Sequence, residues 1–280
     1  MKEYLKLKRS FTLIELLVVI AIIGLLSSVI LVNLSGPRQK AKITKALEFS
    51  QSIQHAIGNE AVGIWDFDDC SAKDLSGYKN DGTINGAVCV DDTPYKVVGS
   101  GQGKNALSFD GNDYIDIPGN FLGGLTEVTF SAWVKIQSNP ATGKEYRLID
   151  RGIYSPYNPN TFLLYITAAG VPTIHINNAD WAVGPAVPIG AWFHIAGTWK
   201  SGSFSYVYIN GVSGIKGTFA QPSITAGSIS TNIGRSPWWP DGYFNGTIDE
   251  VRIYTIALTQ SQIQQHYLAG LKTHQQLTIK

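Results

Sequence analysis

At the centre of the chain stands Val128-Thr-Phe-Ser-Ala-Trp-Val-Lys-Ile136, in which every second residue is apolar. Successive side chains of a β-strand point to opposite faces of a sheet, so a two-residue period gives the strand one apolar face. The stretch therefore predicts a strand that buries one face in a core. The residues of that face are Val128, Phe130, Ala132, Val134 and Ile136.

The same period recurs along the body of the chain. Phe193–Trp199 and Phe204–Ile209 show it, and the Asn210-Gly211 that follows is a strong hairpin-turn signal. Many short strands separated by turn residues predict an all-β sandwich or jelly roll. The further strand candidates are Ile64–Phe67, Ala106–Phe109, Tyr114–Ile117, Arg147–Asp150, Phe162–Thr167, Thr173–Ile176, Ile229–Ile233 and Thr247–Tyr254.

Eight short strings follow one another along this body, and together they resemble the laminin-G-like, concanavalin A-like jelly rolls of bacterial surface proteins. The resemblance covers residues 62–270 and implies a jelly-roll domain closed by a short helix near Ser261–Tyr267; the tail, 271–280, carries no readable pattern. The strings are Trp65-Asp-Phe-Asp68, Asp74-Leu-Ser-Gly77, Asn80-Asp-Gly-Thr83, Ala106-Leu-Ser-Phe-Asp-Gly111, Phe130-Ser-Ala-Trp-Val-Lys135, Trp192-Phe-His-Ile-Ala-Gly-Thr198, Tyr208-Ile-Asn-Gly211 and Phe244-Asn-Gly-Thr-Ile-Asp-Glu-Val-Arg-Ile-Tyr254.

Acidic residues concentrate at the start of this body, where residues 66–116 hold ten aspartates. Clustered carboxylates with Gly and Asn provide the oxygen ligands that Ca²⁺ prefers. The resemblance implies one structural Ca²⁺ between the early loops and the last long strand. It points to Asp249, with Asp110 and the carbonyl of Gly111 as partners and Asp66 or Asp68 as further ligands. The alternative is a set of Asx-turns that cap loops.

A different kind of segment precedes the body. The 22 residues from Phe11 to Val32 are long enough to cross a bilayer and contain a single charged residue, Glu15. A carboxylate at membrane depth costs roughly 2.5–3.5 kcal/mol on insertion scales and usually marks a function. An apolar stripe continues this pattern to Ile57, so we expect a long helix over 11–58, with a break or kink at Gly36-Pro37.

The string Ser10-Phe11-Thr12-Leu13-Ile14-Glu15, after a basic leader, resembles the leader-cleavage motif of type IV pilins and pseudopilins. The resemblance implies that a prepilin peptidase cuts between Ser10 and Phe11, that the new amine of Phe11 is methylated, and that Glu15 serves filament assembly. An amine of one subunit facing a carboxylate of another would offset the cost of burying both charges. The family usually has Gly where this chain has Ser10.

Charge divides the chain in the same place. The formal net charge of +1 is the sum of +6 in residues 1–45 and −5 in the remainder, a distribution that predicts a membrane-contacting end and an exported body with no nucleic-acid partner. We place the N-terminus in the cytoplasm. Cys70 and Cys89 are the only cysteines, and in an exported domain they predict a disulfide rather than a zinc site.

Aromatic residues in a turn-rich stretch, Ser236-Pro-Trp-Trp-Pro-Asp-Gly-Tyr243, predict a ligand-binding loop. Trp238, Trp239 and Tyr243 are its candidate contacts for a glycan or a protein, and the alternative is that the loop folds its aromatics onto the sandwich. Enzyme motifs are missing, and Val128–Ile136 and Phe193–Trp199 carry no acid that could serve a glycan hydrolase.

These observations predict a long N-terminal helix followed by a jelly-roll sandwich, in a non-catalytic pilin-like or pseudopilin-like subunit. The subunit would span the membrane once before assembly and afterwards join a homo- or hetero-filament that displays the head at the cell surface. The predicted divisions are a leader at 1–10, the helix at 11–58, the head at 62–270 and the tail at 271–280. The alternatives are a permanently anchored surface adhesin, a surface glycan hydrolase, and a purely structural shaft subunit.

Overall fold

The computed structural model describes residues 60–91, 105–152, 162–177, 179–227, 230–237 and 242–274. The predicted leader and the predicted helix at 11–58 lie outside these ranges. No helix within them is long and apolar enough to span a bilayer. Their strands are β1 (Ala61–Trp65), β2 (Thr83–Asn85), β3 (Val88–Val90), β4 (Ala106–Asp110), β5 (Tyr114–Ile117), β6 (Glu127–Lys135), β7 (Glu145–Arg151), β8 (Phe162–Thr167), β9 (Pro172–Ile176), β10 (Asp180–Val183), β11 (Trp192–Lys200), β12 (Phe204–Ile209), β13 (Val212–Ser213), β14 (Thr231–Ile233) and β15 (Asn245–Tyr254), and their helix is α1 (Gln260–His274).

The strands form two antiparallel sheets. The eight-stranded sheet has the spatial order β13-β12-β11-β6-β15-β4-β3, and β1 also pairs with β15. The seven-stranded sheet has the order β10-β9-β8-β7-β14-β5-β2. Six of the thirteen neighbouring pairs join consecutive strands, and the other seven join strands that do not follow one another in the chain, as a jelly roll requires. The predicted all-β sandwich is therefore confirmed.

The core lies between the inner faces of the two sheets. All five predicted apolar residues of the Val128–Ile136 stretch are fully buried there, four of them in β6 and Ile136 just after it. Thr129, Ser131 and Trp133, on the opposite face of the same strand, are buried as well. The two-residue period identified the inner face correctly, but it did not predict a second covering layer on the outer face.

That second layer is α1 with the segment that leads into it. Thr259 and Gln262 form a capping box at its start: the amide of Thr259 donates to Oε1 of Gln262 at 2.8 Å. Leu258 and Ile263 then pack on a small cluster of Ala61, Ala196, Tyr208 and Tyr254 that is separate from the main core. The central part of the eight-stranded sheet is thus covered on both faces.

Short edge strands account for most of the difference from the sequence-based expectation. Eleven of the fifteen strands were predicted to within a few residues, and Tyr114–Ile117, Phe162–Thr167 and Phe204–Ile209 have the predicted bounds. β2, β3, β10 and β13 were not predicted, because each has only two to four residues and so shows too little alternation to recognise.

Candidate functional site

A continuous row of side chains crosses the outer face of the seven-stranded sheet. Each member is the direct cross-strand partner of the next, so the row follows from the register of the strands alone. It begins with an indole on one edge strand and ends with a hydroxyl on the other. The row is Trp181, His175, Leu163, Asp150, Asn232, Asp116 and Thr83.

A β-bulge in β7 assembles the centre of this face. Residues 145 and 150 differ by an odd number, so in a regular strand their side chains would point to opposite faces. The register shift between Arg147 and Ile149 inserts one residue, which places Asp150 opposite Leu163 and Arg147 opposite Tyr165. Glu145, Arg147 and Asp150 therefore share the outer face, while Leu148 and Ile149 are both buried in the core.

Arg147 is the hub of this group. Its guanidinium lies 2.5 Å from the Glu145 carboxylate and 3.6 Å from that of Asp150, and it stacks 4.7 Å from the centre of the Tyr165 ring. Burial raises the pKa of Asp150 to about 6, against the opposing attraction of Arg147 and a hydrogen bond with Ser236. The buried carboxylate is thus partly protonated under mildly acidic conditions.

His175 and Tyr165 form a second polar pair beside the hub. The Tyr165 hydroxyl lies 3.3 Å from Nε2 of His175, and the two rings meet edge to face. Burial, with the positive charge of Arg147, lowers the pKa of His175, so its imidazole is neutral at neutral pH. A neutral imidazole can both donate and accept a hydrogen bond, which suits recognition of hydroxyl groups.

The predicted aromatic loop begins at this face and ends at Phe244, which is buried in the core between the sheets. Arg235 stacks over the Tyr114 ring at 3.3 Å and donates from Nε to Oδ1 of Asn232 at 2.9 Å. Ser236 hydrogen-bonds to Asp150. Trp238 and Trp239 lie outside the described residues, and Tyr243 is half-buried. The backbone amide of Phe244 donates to the carbonyl of Gly234 at 2.8 Å, which closes the loop.

A shallow cavity lies at the Trp181 end of the row. It has a volume of about 240 Å³ and is lined by Trp181–Val183 and by Ile215–Thr218. The Trp181 side chain is half-exposed, and the ammonium of Lys216 lies over the ring of Phe219. An accessible indole beside polar groups is a surface on which a sugar ring can stack. Sequence reasoning missed Trp181 because the short strand that carries it shows no pattern.

The predicted calcium ligands are not brought together. Asp110 pairs with Asn245 at one end of the β4–β15 ladder, whereas Asp249 lies four residues farther along β15, about 13 Å away at the usual strand rise. The Asp249 carboxylate is buried and accepts a hydrogen bond from the amide of Glu250 at 2.7 Å. No three His, Cys, Asp or Glu residues in the described ranges are placed to hold a metal ion.

Asx-turns occupy much of the acidic cluster instead. Four aspartates, including Asp66 and Asp110, accept a hydrogen bond from the backbone amide two residues later. Asp68 is the donor residue in the turn of Asp66, and Gly111 has a positive φ of 102° inside the turn of Asp110. These residues do not fit one common ion, and calcium stays a prediction from the family resemblance.

The predicted disulfide is confirmed. Cys70 and Cys89 are bonded, with their Cα atoms 5.4 Å apart, and they join the loop after β1 to the edge strand β3. Ser10, Phe11 and Glu15 lie outside the described residues, so the predictions for cleavage, methylation and assembly have no structural counterpart here.

Comparison with known proteins gives two family matches. A family model described as the concanavalin A-like lectin/glucanases superfamily matches residues 109–264, more than half of the chain. The chain is a member of the concanavalin A-like lectin/glucanases superfamily. This superfamily member also matches the prokaryotic N-terminal methylation motif at residues 5–31, a range that contains Ser10, Phe11 and Glu15.

Three individual proteins are similar to this superfamily member. Domain 4 of an extracellular arabinanase from Geobacillus stearothermophilus, solved with arabinotriose, is 25% identical, with a TM-score of 0.56; the match covers 75% of this chain and 98% of that domain. The binding domain of Paraclostridial Mosquitocidal Protein 1 shares the fold at 15% identity, with a TM-score of 0.59 over 75% of this chain and 52% of that one.

The third protein is a curated human relative. Adhesion G-protein coupled receptor D1 of Homo sapiens is 30% identical over 100 residues, which is 35% of this chain. The chain spans about a tenth of the length of that receptor, 11%.

Proposed function

We propose that this protein is a type IV pilin-like or pseudopilin-like subunit whose jelly-roll head binds carbohydrate at the cell surface without cleaving it. The first half of the proposal is supported by the methylation motif at 5–31. In this proposal a prepilin peptidase removes Met1–Ser10, Phe11 becomes the methylated N-terminus, and Glu15 sets the register between neighbouring subunits in the filament. The helix would hold the subunit in the membrane before assembly.

Mass spectrometry of the mature N-terminus tests this half. We expect a chain that begins with N-methylated Phe11 when the protein is expressed with a prepilin peptidase. A catalytically dead peptidase is the matched control and should leave the leader in place. An intact Met1–Ser10 on surface-exposed protein would contradict the filament role and favour a permanent anchor.

The second half rests on the cross-strand row of the seven-stranded sheet. Trp181 offers a half-exposed ring on which a sugar can stack, and His175 beside it offers neutral hydrogen-bonding groups. The arabinanase domain, similar over nearly its whole length, was solved with arabinotriose, which makes arabino-oligosaccharides the first ligands to test. A protein ligand is the alternative occupant of the same face.

The arrangement of the acids supports binding rather than hydrolysis. Glu145 and Asp150 both contact Arg147, and Asp150 is buried and also bonded to Ser236. A glycosidase needs one carboxylic acid and one carboxylate that both reach the scissile bond. Two acids that are both engaged with one guanidinium are better suited to stabilise a binding surface than to act as the acid and nucleophile of a glycosidase.

Titration of the full chain in detergent micelles with arabinotriose, followed by a glycan panel, tests the binding role. We expect saturable binding that Trp181→Ala weakens about two- to twelvefold, since stacking on one ring contributes roughly 0.5–1.5 kcal/mol. Leu75→Ala is the matched control, because Leu75 is equally exposed but lies on the loop after β1. Failure to bind any glycan, or turnover of a polysaccharide, would contradict this half.

A further inference from the structure

The helix α1 is attached to the sandwich separately from the main core. Its apolar contacts belong to the small cluster around Ile263, Leu258 and Tyr254, and no member of that cluster is part of the large core between the sheets. Elements that pack through a small separate cluster can open locally while the rest of a domain remains folded. α1 is therefore a candidate for a local opening reaction.

Two buried histidines lie in the interface beneath this helix. His194 projects from β11 and is 3% exposed, and His266 projects from α1 and is 6% exposed. Nδ1 of His194 and both ring nitrogens of His266 have no hydrogen-bond partner among the described residues. Unpartnered buried polar groups carry a desolvation cost, so these imidazoles are poorly compensated even when neutral.

Aromatic rings surround the pair. Trp133 meets His194 edge to face at 5.6 Å, and Tyr254 meets His266 in the same way at 5.6 Å. Tyr267, one residue along α1, lies 6.4 Å from His194. This environment offers little solvation to a charged imidazole.

The charged groups around the pair also oppose a positive charge. Arg252 on β15 faces both histidines, and Glu250, the one carboxylate that acts on them, already forms an ion pair with Arg252 at 3.1 Å. Tyr206 and Tyr208 from β12, Tyr254 from β15 and Tyr267 from α1 are the other titratable groups that pack here. Burial lowers the pKa of both histidines to about 3, and the positive charge of Arg252 acts in the same direction.

We propose that α1 is an acid-released helix: protonation of His194 and His266 detaches it from the eight-stranded sheet while the two-sheet sandwich stays folded. The residues just before the helix act as its hinge. The hydroxyl of Thr129 on β6 accepts a hydrogen bond from the amide of Leu258 at 2.8 Å and donates one to the carbonyl of Ile256 at 2.7 Å. These bonds do not depend on either imidazole.

The number of protons taken up on opening determines how steeply the release of α1 depends on pH. In the open form each histidine would titrate near its ordinary pKa of 6.5, whereas in the closed form it stays neutral down to about pH 3. Between these limits opening takes up two protons, so the ratio of open to closed molecules rises about 100-fold for each pH unit of acidification. A single titrating histidine gives about tenfold.

Hydrogen exchange of the full chain in detergent micelles, divided by the intrinsic rate at each pH, tests the proposal. We expect amides in 260–274 to lose protection about 100-fold per unit between pH 6 and 4, while β6 and β11 keep theirs. His266→Gln should reduce the dependence to about tenfold, and the double variant His194→Gln/His266→Gln should abolish it. His175→Gln, which changes a half-buried histidine on the opposite sheet, is the matched control and should retain the wild-type dependence.

Three results would overturn the proposal. The first is unchanged protection of 260–274 down to pH 4 in the unmodified chain, a measurement that requires no variant to fold. The second is loss of protection in β6 and β11 over the same pH range, since that means global unfolding. The third is an unaltered pH dependence in the double variant, which would assign the titration to other groups.

Discussion

The two outer faces of the sandwich surround their buried ionisable groups with opposite kinds of neighbours. On the eight-stranded sheet α1 covers two histidines among aromatic rings, where their ring nitrogens lack partners in the described chain. On the seven-stranded sheet Arg147 contacts both Glu145 and Asp150, and no helix in the described ranges covers these residues. One face is held by apolar contact and the other by a charge network.

This difference indicates that the inner faces, which form the core, specify the fold, whereas the outer faces can carry different side chains without changing it. It also gives the two faces opposite responses to acid. A histidine whose pKa is lowered by folding destabilises the folded form as pH falls below about 6.5. A carboxyl group whose pKa is raised by folding does the reverse and stabilises the folded form as pH falls from about 6 towards 4.

The largest effect is expected from the covered face. Ile263→Ala removes a fully buried side chain of α1, and such a substitution typically costs about 2–5 kcal/mol. We expect that cost in the opening free energy of 260–274, measured by hydrogen exchange at pH 7. Leu268→Ala, at a position of the same helix that is 38% exposed, is the control and should change the value by less than about 0.5 kcal/mol. Equal effects of the two would mean that α1 does not pack as described.

The next effect concerns the sign of the pH response. In the unmodified chain, ionisation of Asp150 should lower the free energy of unfolding by about 2–3 kcal/mol as pH rises from 4 to 6. Asp150→Asn keeps the shape of the side chain but stays neutral, so this decrease should be absent in the variant. Urea unfolding at half-unit pH steps measures it, and Asp91→Asn, at an exposed position, should leave the slope unchanged. If Asp150→Asn keeps the wild-type slope, the carboxyl group is not protonated in that range.

The smallest effect belongs to the exposed edge of the charged face. Trp181→Ala removes a side chain that is 50% exposed, so we expect the unfolding free energy to change by less than about 0.5 kcal/mol. Thermal unfolding of the variant measures this. A loss above 1 kcal/mol would show that Trp181 supports the fold, and any loss of glycan binding would then need a structural explanation.

Much of the fold could be predicted from alternation alone. β6 and β11 have nine residues each, enough for the two-residue period to identify them, and the jelly-roll assignment followed. The family resemblance implied the helix near Ser261–Tyr267, and α1 contains that stretch. Its position over the outer faces of Thr129 and Trp133 could not be predicted, because alternation reports which side chains are apolar and not what packs above the polar ones.

The candidate site was largely hidden from the sequence. Glu145 and Asp150 share a face only because the bulge adds one residue between them. Two consecutive apolar residues, Leu148 and Ile149, flanked by charged ones are the signal that could have indicated it. Pairing of Asp110 with Asp249 was inferred from the family resemblance, and the register separates them.

The disulfide has a mechanical consequence. The polypeptide enters the sandwich at β1, which pairs with the C-terminal half of β15. Tension on the N-terminal side would therefore peel β1 away first, one hydrogen bond at a time. Extension would stop at Cys70, because the disulfide then carries the force directly to Cys89. The chain between the two cysteines, which are 19 residues apart in sequence, would not be stretched. A head pulled by its ligand would in this way yield a short, fixed length of chain before the force reaches its central strands.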